Sequence, residues 1–249
     1  MSTVGNWRGP NIVKDGLVLY LDSGSPNSFF TKDGTIFKDI SGNNYSGVLT
    51  NYGSQTRYDQ NDGQSMLFDG TDDFVEFGDV LDLGTNSMTV NQWIKLTSVS
   101  SVQTFLSKSL AGPQSYRFSN GLNFGAPINR LLVFMQGNGG ADINPYGSTV
   151  LSANTWFMAT FVFDRSSSIK IYYNGVLETL TGSATISQWD GLNFQSTNPF
   201  RIGTYTASNN TGVLSPVNGK IAITQVYHRV LTPAEVLQNY NATKSRFGL

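Results

Sequence analysis

Apolar and polar residues alternate at every second position along most of this chain, in short runs broken by glycine, asparagine and aspartate. Residues 169–179, IKIYYNGVLET, show the pattern at its clearest. Ile169, Ile171 and Tyr173 alternate with Lys170 and Tyr172, and Asn174-Gly175 then separates them from Val176-Leu177. A period of two interrupted by Asn-Gly predicts a tight hairpin, because both turn residues must accept positive φ. The same alternation predicts strands at 16–22, 65–70, 73–79, 88–96, 103–109, 115–124, 130–137, 155–164, 199–203 and 219–229. Asp69-Gly70, Asn120-Gly121 and Asn218-Gly219 read as further turns. Regular short strands of this kind imply a sandwich or barrel.

Two segments depart from simple alternation. In 155–164, Trp156, Met158 and Val162 fall on one face and Phe157, Ala159, Phe161 and Phe163 on the other. A strand apolar on both faces belongs in the middle of a covered sheet, so Trp156, like Trp93 in its own strand, reads as core. Near the end, TPAEVLQNYNATKSR shifts to helical spacing over 232–245. Thr232 is placed to cap it, Pro233 takes the first position and Glu235 completes a capping box. Val236, Leu237 and Tyr240 form its expected docking face. Stretches 138–153 and 205–218 read as the longest surface loops. The expected division is an arm over 1–14 and a single all-β domain over 15–249.

Composition narrows the partners. The formal net charge is −1 and charged residues make up 13% of the chain, about half the usual ~25%. No basic footprint for nucleic acid is present. Ser, Thr, Asn and 26 glycines take the place of charge, which suits tight turns and a hydrogen-bonding surface. With no cysteine there is no disulfide framework. The opening MSTVGNWRGPNIVKDG lacks the apolar stretch of a secretion signal. No run approaches the ~20 apolar residues of a spanning helix, so no membrane insertion is expected.

Catalytic arrangements fail by inventory. His228 is the one histidine, too few for a zinc centre, and in the strand segment VYHRV it reads as a hydrogen-bonded structural imidazole. There is no G-x-S-x-G elbow, Walker A or G-x-G-x-x-G loop. Glycoside hydrolysis needs two positioned carboxylates, yet the three glutamates, Glu76, Glu178 and Glu235, are scattered. Asp72-Asp73 in FDGTDDF reads as a turn held by side-chain hydrogen bonds. The chain is expected not to be an enzyme. Trp189 in SQWDG and Tyr205 in GTYTAS lie beside turns and are the candidates for stacking on a sugar.

Six stretches in order, GLVLYLD, DISGNNYSGVLTN, LFDGTDDFVEFG, NTWFMATFVFD, IKIYYNGVL and GKIAITQVYHRVLTPAEVLQNYNATKSRFGL, resemble the laminin-G-like, concanavalin A-type jelly rolls. The similarity runs over about residues 10–249. The opening RGPNIVKDGLVLYLD and closing LQNYNATKSRFGL are similar to the version found among tailed-bacteriophage structural proteins. The resemblance implies a two-sheet antiparallel jelly roll with one C-terminal helix, binding glycan or protein. On a phage it implies a virion surface component such as a decoration, collar, tail or fibre subunit. It also implies a calcium site built on an aspartate like Asp39 with two acidic residues in a later strand. Here Ala222 and Ile223 occupy those acidic positions. Calcium takes six to eight oxygens, so no cofactor is expected and Asp39 is left to fix its turn.

The expected function is therefore a non-enzymatic virion structural protein, present in many copies against other virion proteins. The alternative is an adhesin for host-surface glycans. Trp7, the one large apolar group of the arm apart from aliphatic residues, is the expected assembly contact, because aromatics anchor interfaces.

Overall fold

The computed structural model describes residues 11–29, 34–53, 57–109, 115–121, 127–137, 142–206 and 212–249. In chain order the strands are β1 (Leu17–Asp22), β2 (Ile36–Lys38), β3 (Ser46–Thr50), β4 (Tyr58–Asp59), β5 (Ser65–Asp69) and β6 (Phe74–Glu76). They continue with β7 (Met88–Leu96), β8 (Thr104–Lys108), β9 (Ser115–Ser119), β10 (Leu132–Gln136), β11 (Trp156–Phe163) and β12 (Ile169–Tyr173). The last are β13 (Val176–Leu177), β14 (Phe200–Ile202), β15 (Tyr205–Thr206), β16 (Val213–Leu214) and β17 (Asn218–Tyr227), and helix α1 (Pro233–Thr243) follows.

They form the expected two-sheet antiparallel jelly-roll sandwich. Sheet one runs β13-β12-β11-β7-β17-β5-β4, with β1 also on β17. Sheet two runs β10-β9-β8-β14-β6-β3-β2. Strand β17 is long enough to serve two neighbours along one edge. Its first residues pair with β5 and its later ones with β1, while β7 lines the other edge. The Asn174-Gly175 hairpin is present, with both residues at positive φ (51° and 79°). Asn218-Gly219 is not a turn. It opens β17, where a Cβ on Gly219 would lie 2.3 Å from the Lys95 carbonyl oxygen. Here the glycine serves close backbone approach instead.

The core lies between the sheets, and β11 shows why it has two sides. Phe157, Ala159, Phe161 and Phe163 enter the inter-sheet core. Trp156, Met158 and Val162 join a second cluster on the outer face of sheet one. As expected, β11 is interior, between β12 and β7. Helix α1 covers that second cluster. Thr232 and Glu235 make the reciprocal capping box, and a 3₁₀ turn over Lys244–Phe247 continues the chain. Trp93 stacks on Phe247 at 4.1 Å and on Tyr240 at 5.8 Å, pairs worth about 0.5–1.5 kcal/mol each beyond burial. Its indole N–H donates to Thr243 Oγ1 at 2.8 Å.

The docking face differs from the expected one at a single residue. Val236 is buried and Tyr240 packs beside it, but Leu237 is 45% exposed. The inner position belongs to Asn239, which is buried. Asn239 Oδ1 accepts the Val13 N–H, its Nδ2 donates to the Tyr227 hydroxyl, and that hydroxyl donates to the Val13 carbonyl. Val13, assigned to the arm, is thereby fixed to the sandwich. No helix among the described residues is long and apolar enough to cross a membrane. The expected loop 205–218 contains the β15–β16 hairpin, which packs against β8.

Candidate functional site

One rank of side chains crosses the outer face of sheet two. Residues directly opposite in paired strands share a face, and the register joins Ile36, Val48, Glu76, Arg201, Ser107, Arg117 and Phe134 in that order. Their chain neighbours Phe37, Leu49, Val75, Ile202, Leu106, Phe118 and Val133 all sit in the inter-sheet core. With the pleat alternating, the rank has to face outward.

Two guanidinium groups organise this face. Arg201 lies 4.5 Å above the Phe74 ring, and its Nε donates to Glu76 Oε2 at 2.7 Å. Arg117 lies against two rings, 4.3 Å from the centroid of Phe134 and 4.4 Å from that of Tyr205. Tyr205 reaches Arg117 because Ser107 Oγ donates to the Thr204 carbonyl at 2.8 Å, drawing β15 onto β8. Arg117, Phe134 and Tyr205 are all half-buried. Flat aromatic surface beside fixed N–H donors can recognise a polar ligand that also carries an apolar face.

Of the residues singled out from the sequence, Tyr205 lies on this face. Trp189 does not. It is 3% exposed, packed in the inter-sheet core against Phe194 at 5.6 Å and so close to Gly137 that a Cβ there would lie 2.4 Å from its ring. A ring so enclosed has no face to offer a sugar, which corrects the expectation. Asp39 is buried, with Oδ1 accepting from the Tyr20 and Ser41 amides and Oδ2 from the Ser41 hydroxyl, each at 2.8 Å. Its oxygens hold the turn. Trp7 lies outside the described residues. Arg117, Phe134 and Arg201 were missed. The signal was outward placement of Arg117 and Phe134 in strands whose alternate residues are apolar.

Several carboxylates are committed to structure. Glu178 accepts from the Thr149 amide and hydroxyl, both at 2.6 Å. Arg229 grips Glu235 and, with the Thr232 cap, holds its carboxyl down at about 2. Asp69, Asp72 and Asp73 bring carboxylate oxygens within 4.8 Å of one another. Burial above all, with Asp69 and Asp72 alongside, pushes Asp73 up to about 6. Such a value suits a general acid, but Asp73 is only 2% exposed and its Oδ2 accepts the Asp69 amide at 3.0 Å. Substrate has no path to it in this conformation. His228 is displaced the other way, its pKa lowered by burial. Its Nε2 is enclosed with no partner among the described residues, so the half-buried imidazole is not bonded through that nitrogen as expected. A cleft of about 840 Å³ between residues 11–14, β1 and the end of α1 is lined by Tyr20, Asp22 and Arg246 among others. The Arg246–Asp22 pair spends its charges internally.

Residues 69–237 match the family described as the concanavalin A-like lectin/glucanases superfamily, which is more than half of the chain. The chain belongs to this superfamily. Among curated protein sequences none matches. Among solved structures, the superfamily member described here is similar to the binding domain of Paraclostridial Mosquitocidal Protein 1, with a TM-score of 0.64 and 16% identity, covering 92% of this chain and 52% of that one. It is similar to domain 4 of AbnA, a GH43 extracellular arabinanase from Geobacillus stearothermophilus, in complex with arabinotriose. There the TM-score is 0.56 and identity 17%, covering 90% of this chain and 98% of that one. A third likeness, TM-score 0.63 and 15% identity over 92% of this chain and 52% of that one, is to a structure of botulinum neurotoxin type C, whose cell entry depends on interaction with two ganglioside molecules. This superfamily member thus spans about half the length of the toxin chains. At these identities the likeness is one of fold.

Proposed function

We propose that this chain is a non-enzymatic, lectin-like binding module, carried as a structural protein on a bacteriophage virion, with the outer face of sheet two as its contact surface for glycans. The observation that carries the binding reading is the Phe134–Arg117–Tyr205 stack. It offers aromatic surface and fixed donors on a rigid sheet, the combination that orients a sugar. The arabinanase domain supports it, since a jelly roll of nearly the same extent is in complex with an oligosaccharide. The committed state of Glu76, Glu178, Glu235 and the buried Asp73 supports a role without hydrolysis. The virion placement draws on the resemblance of the opening and closing segments to phage structural proteins. A surface poor in charge and rich in Ser, Thr and Asn fits a protein held in many copies against neighbours.

The test is binding of the purified chain to an array of neutral and acidic glycans, beside Phe134→Ala and Tyr205→Ala variants. Retention of a defined glycan set, weakened about tenfold or more by either variant, is expected, a loss of ~1.4 kcal/mol. Antibody labelling of intact particles tests the placement. Absence of the chain from purified virions would remove that part of the reading while leaving the binding part standing.

A further inference from the structure

We propose that Arg117 is a carboxylate receptor, and that the ligand of the sheet-two face is an acidic glycan bound through the carboxyl group of a sugar residue. The inference rests on the lectin-like reading above and specifies its ligand.

The Arg117 guanidinium carbon lies over the Phe134 ring at 4.3 Å and over the Tyr205 ring at 4.4 Å. Its N–H donors lie in one plane, along the edge of the group. Among the described residues no acceptor or carboxylate meets that edge. Four other arginines meet acceptors, whereas Arg130 also leaves its buried Nε without a partner among the described residues. Arg201 bonds Glu76, Arg229 bonds Glu235, Arg246 bonds Asp22, and Arg165 donates to the carbonyls of Trp189 and Leu192. Among the described residues Arg117 has ring partners but no acceptor, and it is half-buried. A desolvated charge without a counter-charge is costly, and a bound anion relieves that cost.

The surroundings favour the anion further. The acid of the same rank, Glu76, is held by Arg201 at 2.6 Å, so it does not repel an incoming carboxylate. Ser107, which separates the two arginines in the rank, is spent on Thr204. The two strand steps between Arg117 and Arg201 place their backbones about 10 Å apart, so the Arg201–Glu76 pair lies nearby as a unit of zero net charge and Arg117 carries the uncompensated charge of the rank. A planar fork with one charge matches a planar monoanion in two parallel hydrogen bonds. The same fork can also pair with a phosphate or sulfate ester, and the sulfated competitors below separate these from carboxylate. The ring edges of Phe134 and Tyr205 beside the fork offer apolar surface for the body of a sugar, which favours an acidic glycan over an acidic peptide.

The experiment compares oligogalacturonate with its carboxyl-reduced neutral counterpart, and sialylated with desialylated oligosaccharides, on the wild-type chain, Arg117→Met and Arg117→Lys. Sulfated glycans and an acidic peptide are included as competitors. Methionine preserves the filling against the rings, lysine preserves the charge without the fork, and melting curves confirm that each variant folds. Wild type should prefer at least one carboxylated glycan over its neutral partner by tenfold or more. Both variants should lose that preference, and it should weaken as salt rises. Equal binding of acidic and neutral partners, or an undiminished preference in both variants, overturns the carboxylate assignment while leaving the lectin-like reading intact. A preference for the sulfated glycans or the peptide overturns it as well. Failure of every glycan, neutral and acidic, to bind wild type overturns both readings.

Discussion

Replacing Asp73 by Asn should stabilise this protein at neutral pH, an uncommon direction for a change at a buried residue. Burial raises the Asp73 carboxyl from its ordinary 3.8 to about 6, with the negative charges of Asp69 and Asp72 adding to the effect. Its Oδ1 is buried with no partner among the described residues. The folded state therefore binds the proton more tightly than the unfolded chain. By linkage, the stabilising contribution is fully present below about pH 4 and is lost as pH rises through about 6. The difference between 3.8 and about 6 corresponds to about 3 kcal/mol at ~1.36 kcal/mol per tenfold change in proton affinity. Asparagine stays neutral at every pH and keeps an oxygen to accept the Asp69 amide. Urea unfolding at pH 7.5 should show the variant more stable by up to about 3 kcal/mol, with a rise in Tm of ~2–4 °C per kcal/mol. The gap should narrow through pH 6 and close near pH 4. A variant less stable than wild type at pH 7.5, or a gap that does not change between pH 4 and 7.5, would refute the reasoning.

Three further outcomes are expected. Asp62→Ala should cost roughly 2 kcal/mol at neutral pH, because it removes the carboxylate shared by Lys95, Lys220 and the Trp156 indole. Burial pushes that carboxyl up, but those three partners together hold it well below its ordinary range. The contribution is thus present above about pH 4 and lost in stronger acid, where denaturation curves of variant and wild type should converge. Asn239→Leu should cost about 1–3 kcal/mol by leaving the Val13 N–H buried without an acceptor, and limited proteolysis should then cut near Val13 faster than in wild type. Chelator should leave Tm unchanged, since both Asp39 oxygens are taken by protein donors. A cation at a hundredfold excess over Kd would contribute ~2.7 kcal/mol. A fall of several degrees that vanishes in Asp73→Asn would put a cation on the 69–73 turn instead.

Local signals read well and long-range ones did not. The Asn174-Gly175 hairpin, the two-faced strand β11 and the Thr232 capping box each depend on residues close in sequence, and each is where its pattern put it. Leu237 and Asn239 exchanged roles because apolarity alone cannot register a buried amide with two bonds waiting for it. Trp189 had turn neighbours, which says nothing about the core closing over it from Phe194 and Gly137. The sheet-two rank was beyond local reading for the same reason. Arg201 and Glu76 meet across 125 residues, and no short window contains both. Alternation shows that Arg117 points outward but not that Tyr205 will arrive to stack on it.

The double service of β17 has a consequence for how the protein is made. β1 and β5 emerge from the ribosome long before the strand that pairs with both. The Ser23–Ala222 hydrogen bond beside β1 spans 199 residues, which at ~5–20 residues per second takes roughly 10 to 40 seconds to synthesise. During that interval Leu19, Leu21, Met66 and Phe68 have no completed sheet to enter, and their strand edges stay open to other nascent chains. Protection of these early strands is then a requirement on synthesis separate from the stability of the finished sandwich. Slower elongation lengthens the exposure, and a holding chaperone shortens its effect.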